Sequence, residues 1–282
     1  MAGGRGRGRS RGAIVFSHAN GFPAGTYRLL FEHWRAAGYT VHAVEKFGHQ
    51  PAYPVTGNWP HLRDELIHFA EWALVDDAPA WFVGHSLGGF LSVLAAARRP
   101  DLARGVVLLD SPIIGGWKAR ALQFAKATGL GERYSPAAVS RRRRQHWPSD
   151  QAAFEHFATK PVFARWHPEV LRDYVAAGTE PAGAVRALSF RREVETEIYR
   201  TLPHHLPHVL RRHPLGCPVT FIGGTASAEV RQVGLRATER LTQGRVSWIE
   251  GGHLFPMERP LETAEAVLMQ LRSLACAHRA TG

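Results

Sequence analysis

Trp81-Phe82-Val83-Gly84-His85-Ser86-Leu87-Gly88-Gly89-Phe90-Leu91 is the stretch that decides the fold. It opens with a short apolar run of strand-forming residues. It closes on a helical pattern in which Leu87, Phe90, Leu91, Leu94 and Ala95 fall on one face. Between the two lies Gly84-His85-Ser86-Leu87-Gly88, a G-x-S-x-G match in the strand-to-helix context that the motif requires. A serine on so sharp a turn takes a strained backbone, and its hydroxyl projects at the carboxyl end of the strand. The flanking glycines let neighbouring backbone approach. The next backbone N–H and the helix N-terminus then face any oxyanion that forms beside that hydroxyl.

Outward from this turn the alternation repeats. Ala13 to Phe16, Tyr39 to Val44, Gly105 to Leu109, Val219 to Ile222 and Val246 to Ile249 are apolar runs without strict alternation, as strands covered on both faces are. Amphipathic stretches separate them. One starts near Asn58, with Pro60 in its first turn and Leu62, Leu66, Phe69 and Ala73 on one side. The last starts at Pro260 and carries Ala264, Val267, Leu268, Leu271 and Leu274. This order predicts an α/β fold with a mostly parallel, doubly wound sheet. From about Gly115 to His213 the rhythm breaks. The pattern there is helical, with no clear strand, and carries Trp117, Phe124, Tyr134, Trp147, Phe154, Phe157, Phe163, Trp166 and Tyr174. Most of these rings are expected to form a small core of the segment's own, with a few facing an apolar cleft.

The 282 residues suit one large α/β domain with an insertion. The formal net charge of +11 suggests an anionic partner, but much of the excess sits in Arg5, Arg7, Arg9 and Arg11 and in the run Arg141 to Arg144. Such runs are expected to be solvated faces, and no zinc-finger or RNA-binding signature accompanies them, so no nucleic-acid partner is expected. Residues 1–12 are Gly/Arg/Ser low complexity and are expected to be disordered. No apolar run approaches the roughly 18 residues that a membrane span needs. Ala13-Ile14-Val15-Phe16 is too short for a signal-peptide core, and Cys217 and Cys276 read as two buried free thiols. A cytoplasmic location is expected. His204, His205, His208 and His213 lack zinc-type spacing and read as a solvated loop rather than a metal site.

Four further segments occur in order around the serine turn: His18-Ala19-Asn20-Gly21 after the first strand, Phe47-Gly48-His49 after the second, Leu108-Leu109-Asp110 at the end of the fourth, and Gly251-Gly252-His253 after the last. With them, the chain from Ala13 onward resembles the α/β-hydrolase family. The resemblance implies that fold, with a helical cap (115–213) inserted in a catalytic core (13–114 and 214–282). It also implies a serine hydrolase acting on a small, mainly apolar ester-type substrate through an acyl-enzyme, with no cofactor. Ser86 is then the nucleophile, His253 the general base, and the backbone N–H groups of Leu87 and Asn20 the oxyanion hole. The Asn20 side chain either contributes or braces the loop. His85 reads as a packing residue.

The third member of the triad departs from the family pattern. The usual aspartate position, after Val219 to Ile222, holds Ser227, which cannot stabilise an imidazolium as a carboxylate does. Two substitutes exist. Asp110 ends the preceding strand, where certain haloalkane dehalogenases place their acid, although Asp-Ser-Pro is also a good turn or N-cap sequence. Glu229 lies two residues past the usual place. Asp110 is preferred and Glu229 is the alternative. Only the Gly/Arg tail stands before Ala13 where the family usually has a first hairpin: either that edge is missing, which would expose a neighbouring strand, or the start of this chain is not the natural one. The same scaffold supports acyl transfer, carbon–carbon hydrolysis and ligand binding without catalysis.

Overall fold

Period-two alternation in the apolar runs sends Ala13 and Val15 to one side and Ile14 and Phe16 to the other, and all four are buried. A sheet covered on both faces follows. In the computed structural model, which describes residues 11–75, 79–128 and 136–280, β1 (Ala13–Ser17) leads through a 3-10 turn (Ala24–Tyr27) to α1 (Arg28–Ala36) and β2 (Thr40–Ala43). Then come α2 (Pro60–Ala73), β3 (Ala80–His85), α3 (Leu87–Arg98) and β4 (Ala103–Leu109). Away from the sheet lie α4 (Gly116–Thr128), α5 (Pro136–Ser140), β5 (His146–Trp147), α6 (Asp150–Ala158), α7 (Pro168–Gly178), β6 (Thr179–Ala182), β7 (Val185–Leu188), α8 (Arg192–Arg200) and α9 (Leu206–Arg212). The chain returns as β8 (Val219–Gly224), α10 (Ala228–Val233), α11 (Arg236–Thr242), β9 (Val246–Ile249), α12 (Phe255–Glu258) and α13 (Pro260–Ala280).

The main sheet has six strands in the order β2-β1-β3-β4-β8-β9, every neighbouring pair parallel. One face carries α2 and α3, with Leu66, Leu91, Val93, Phe82, Val106 and Phe221 in a common cluster. The other carries α1 and α13, with Trp34, Leu268 and Leu271 against Ile14, Phe16, Val107 and Leu109. Parallel pairing puts the carboxyl ends Ser17, His85, Leu109 and Gly224 on one edge. Chain order reverses between β1 and β3, and open sheets of this kind place their sites at such a reversal.

Several sequence expectations are corrected. The segment between β4 and β8 contains a three-stranded antiparallel sheet, β5-β7-β6. Its strands have only two to four residues, too few for a period to register, and one of them contains a proline, Pro181, which pairs with Arg186. The aromatic rings of this segment form no separate core. Trp147, Phe157, Phe163, Trp166 and Tyr174 join the cluster that holds Phe16, Tyr27 and Trp34. Trp117 and Phe124 instead stand 72% and 64% exposed on α4, and Tyr134 lies outside the described residues. Within the arginine run, Arg143 is largely buried and ion-paired to Glu195, so that run is not uniformly a solvated face. His208 lies on helix α9 rather than in a loop. Cys217 is half-buried and Cys276 is exposed, both free. The tail expected over 1–12 falls outside the described residues up to residue 10, whereas Arg11 N–H already donates to Gly38 O at 3.0 Å. No described helix is long and apolar enough to cross a membrane.

Candidate active site

The turn between β3 and α3 imposes its geometry on Ser86, which has φ 52° and ψ −113°. Only glycines fit around it. A Cβ on Gly84 would lie 2.2 Å from Gly88 O, and one on Gly88 would lie 1.9 Å from Ser17 O. Ser86 N–H donates to Leu109 O at 3.0 Å, and Ser111 Oγ donates to Ser86 O at 3.0 Å, so β4 braces the turn from its other side. Leu87 opens α3, where first-turn N–H groups have no intrahelical acceptor.

Ser86 Oγ donates to His253 Nε2 at 2.9 Å, and His253 Nδ1–H donates to Asp110 Oδ2 at 2.7 Å. These bonds fix one tautomer of the imidazole. Asp110 is fully buried and holds a left-handed backbone, φ 45°. It is not a helix cap. Its Oδ1 accepts from Gly224 N–H at 2.8 Å, and its Oδ2 also accepts from Ser227 Oγ at 2.6 Å. Ser227, at the position where an aspartate is usual, also caps α10 by accepting from Val230 N–H at 3.1 Å. Glu229 Oε2 stands farther off, 3.7 Å from His253 Nδ1, with its side chain 45% exposed. Burial pulls the His253 pKa down, but the Asp110 hydrogen bond and the charges of Glu229 and Asp110 outweigh it and hold the group above its usual value. Among the described residues, Asp110, Glu229 and His253 are also the group whose ligand-type atoms come within 4.8 Å of one another. Asp110 there already accepts from three donors, Gly224 N–H, Ser227 Oγ and His253 Nδ1–H.

His85 does more than fill space. Its Nε2–H donates to His253 O at 2.9 Å, Tyr27 O–H donates to its Nδ1 at 2.8 Å, and Ala19 N–H donates to Tyr27 Oη at 3.1 Å. Burial first, then the charge of His253, depress the His85 pKa well below its usual value, so the ring stays neutral in this tautomer. This chain ties the His253 loop to the loop after β1. His18 anchors the same loop: its Nδ1–H donates to Ala19 O at 2.8 Å, and its Nε2 accepts Phe47 N–H at 3.0 Å. Burial lowers its pKa to about 4. The Asn20 side chain braces, donating from Nδ2 to Glu195 O at 3.0 Å. Sequence reading missed His85, Tyr27 and Ser227 as site residues. The signals for them were the adjacency of His85 to Ser86 and the place of Ser227 at the usual aspartate position; Tyr27 had none.

Residues 14–266 match the model of the alpha/beta hydrolase family. The chain belongs to that family. Among curated relatives of this alpha/beta hydrolase, monoglyceride lipase of Rattus norvegicus is 30% identical over 112 residues, 38% of this chain and 37% of that protein. Phospholipase YtpA of Bacillus subtilis is 29% identical over 110 residues, 36% and 40% of the two chains. The chain thus spans about two fifths of the length of these relatives. Among solved structures, E-2-(acetamidomethylene)succinate hydrolase superposes with TM-score 0.69 at 26% identity, covering 91% of this chain and 90% of that one. An M. tuberculosis esterase superposes with TM-score 0.65 at 23% identity, covering 92% and 84%, a likeness of fold. Membership of this family supports hydrolase chemistry in general.

Proposed function

We propose that this alpha/beta hydrolase is a serine hydrolase that cleaves a carboxylic ester through an acyl-enzyme on Ser86. The carrying observation is the hydrogen-bonded run from Ser86 Oγ through His253 to Asp110, set on a strained turn. His253 Nε2 takes the Ser86 proton as Oγ adds to the ester carbonyl. Asp110 keeps the other imidazole proton on Nδ1 and stabilises the imidazolium. The N–H groups of Leu87 and Asn20 hold the oxyanion of the tetrahedral intermediate. The intermediate collapses as His253 returns its proton to the leaving alcohol. Water then adds to the acyl group by the same route and frees Ser86. Burial, three donors and the shorter distance favour Asp110 over Glu229 as the acid.

In this reading residues 115–213 cap a catalytic core of 13–114 and 214–282, with 1–12 as a tail outside it. The substrate is a small ester with an apolar acyl or alcohol part, in keeping with relatives named for monoglyceride and phospholipid cleavage. Free cysteines suit a reducing, cytoplasmic setting. A second reading, an acid-bearing substrate, draws on the likeness to E-2-(acetamidomethylene)succinate hydrolase.

A fluorophosphonate probe tests the chemistry. We expect an adduct on Ser86 by mass spectrometry, none on Ser86→Ala, and a loss of turnover of about 10⁴-fold or more in that variant. Full turnover by Ser86→Ala sinks the proposal. A panel of p-nitrophenyl esters against carboxylate-bearing amides separates the two substrate readings: rates rising with apolar chain length support the first, and activity confined to the charged compounds supports the second.

A further inference from the structure

The loop after β1 is gripped from the segment inserted between β4 and β8 as well as from the sheet. Glu195, on α8, is buried. Its backbone O accepts from Asn20 Nδ2 at 3.0 Å, its Oε1 accepts from Ser140 Oγ at 3.0 Å, and its Oε2 pairs with Arg143. Arg143 also donates to the hydroxyl of buried Tyr174 on α7. Gly21, with φ +82°, lies directly beneath: a Cβ there would stand 2.9 Å from Glu195 Oε1 and 3.1 Å from Arg143 Nη1. Farther along the same loop, Phe22 packs on Trp166 and Tyr174 at 5.6 Å between ring centroids.

We infer that Glu195 and Arg143 are positioning residues for the oxyanion loop, so that a complete oxyanion hole exists only while the inserted segment is seated. This rests on the proposed role of the Asn20 N–H. Oxyanion donors act within about 2.7–3.1 Å of the charge, and a misplacement of about 1 Å costs roughly 10²-fold in rate. Asn20 and Gly21 are the residues whose placement Glu195 and Arg143 determine. The two charges need each other: a buried carboxylate left without its cation must take a proton or swing towards water. Either change releases the grip on Gly21 and shifts Asn20. Ser86, His253 and Asp110 lie on strand ends and on the His253 loop, outside this grip, so the proton-transfer run survives.

The test compares wild type with Arg143→Met, Arg143→Lys and Arg143→Met/Glu195→Gln. Turnover of p-nitrophenyl butyrate is measured beside the inhibition constant of butaneboronic acid, whose adduct mimics the tetrahedral intermediate. Arg143→Met is expected to lower kcat by about 10–100-fold with KM within about threefold, and to weaken boronate binding by a similar factor. Arg143→Lys, and the double variant that removes both charges, are expected to recover part of each loss. A folded Arg143→Met that keeps wild-type kcat, that changes KM alone, or that loses kcat without weakening boronate overturns the inference. Should Arg143→Met fail to fold, Ser140→Ala removes a single contact to Glu195. A parallel fall of about two- to fivefold in kcat and boronate affinity then supports the clamp, and no change in either overturns it. Wild type without probe labelling or turnover removes the esterase reading and the clamp with it. Labelled wild type with unaffected variants removes the clamp alone.

Discussion

At the residue scale, the site balances one imidazole between two unequal carboxylates. Asp110 is buried and hydrogen-bonded, whereas Glu229 is half exposed and acts through charge. Asp110→Asn is expected to lower kcat/KM by about 10³–10⁴-fold, because an amide cannot hold the imidazolium; ester turnover measures this. Glu229→Gln is expected to leave the maximal rate within about tenfold and to move the acid limb of the pH–rate profile to lower pH. The sign follows from the base being neutral imidazole: Glu229 raises the His253 pKa, so removing its charge lets the ring lose its proton at lower pH. A limb that stays put, or moves up, refutes the electrostatic role. The sequence offered Ser86 and His253 by motif and chain order, and it offered both carboxylates. It preferred Asp110 by its place at a strand end but left Glu229 open, because what separates the two is burial together with the N–H of Gly224 and the hydroxyl of Ser227, contributed from more than a hundred residues away. His85 was hidden for the same reason: its two partners, Tyr27 and His253, are distant in the chain.

At the element scale, strands and helices meet where glycine permits. Gly88→Ala is expected to destabilise the fold by about 3 kcal/mol or more, since the added methyl meets the backbone carbonyl of Ser17, which has no rotamer to yield; the urea midpoint reports it. On α2, Glu65 is buried and accepts Gly48 N–H at 2.9 Å. Burial raises its pKa to about 7, against the opposing pull of that hydrogen bond. The folded pKa lies above the unfolded one, so the stability this group contributes is present in full below about pH 4.5 and is lost as pH rises through about 7. Glu65→Gln is expected to melt higher than wild type at pH 8, by an amount on the order of 2–3 kcal/mol, and to lose that advantage by pH 5. Equal melting temperatures at both pH values would refute the assignment. The main strands were legible because each is a buried apolar run long enough to stand out. The strands β5, β6 and β7 were not, because their pairing is set by tertiary contacts rather than by composition.

At the scale of the whole molecule, one apolar cluster runs from α13 through β1 into α7. The inserted segment therefore shares its interior with the sheet. Calorimetry and tryptophan fluorescence are expected to report one coincident unfolding transition, and two separated transitions would show that the segment folds by itself. The placement of the acid has its own consequence. In this chain Ser86 and Asp110 bound a single contiguous block, α3 and β4, whereas family members with the usual pattern keep their aspartate beyond the strand matching β8. An exchange of that block by recombination thus moves nucleophile and acid together. Transplanted into such a relative, the block delivers a surplus carboxylate; received from one, it strips this chain of its proposed acid.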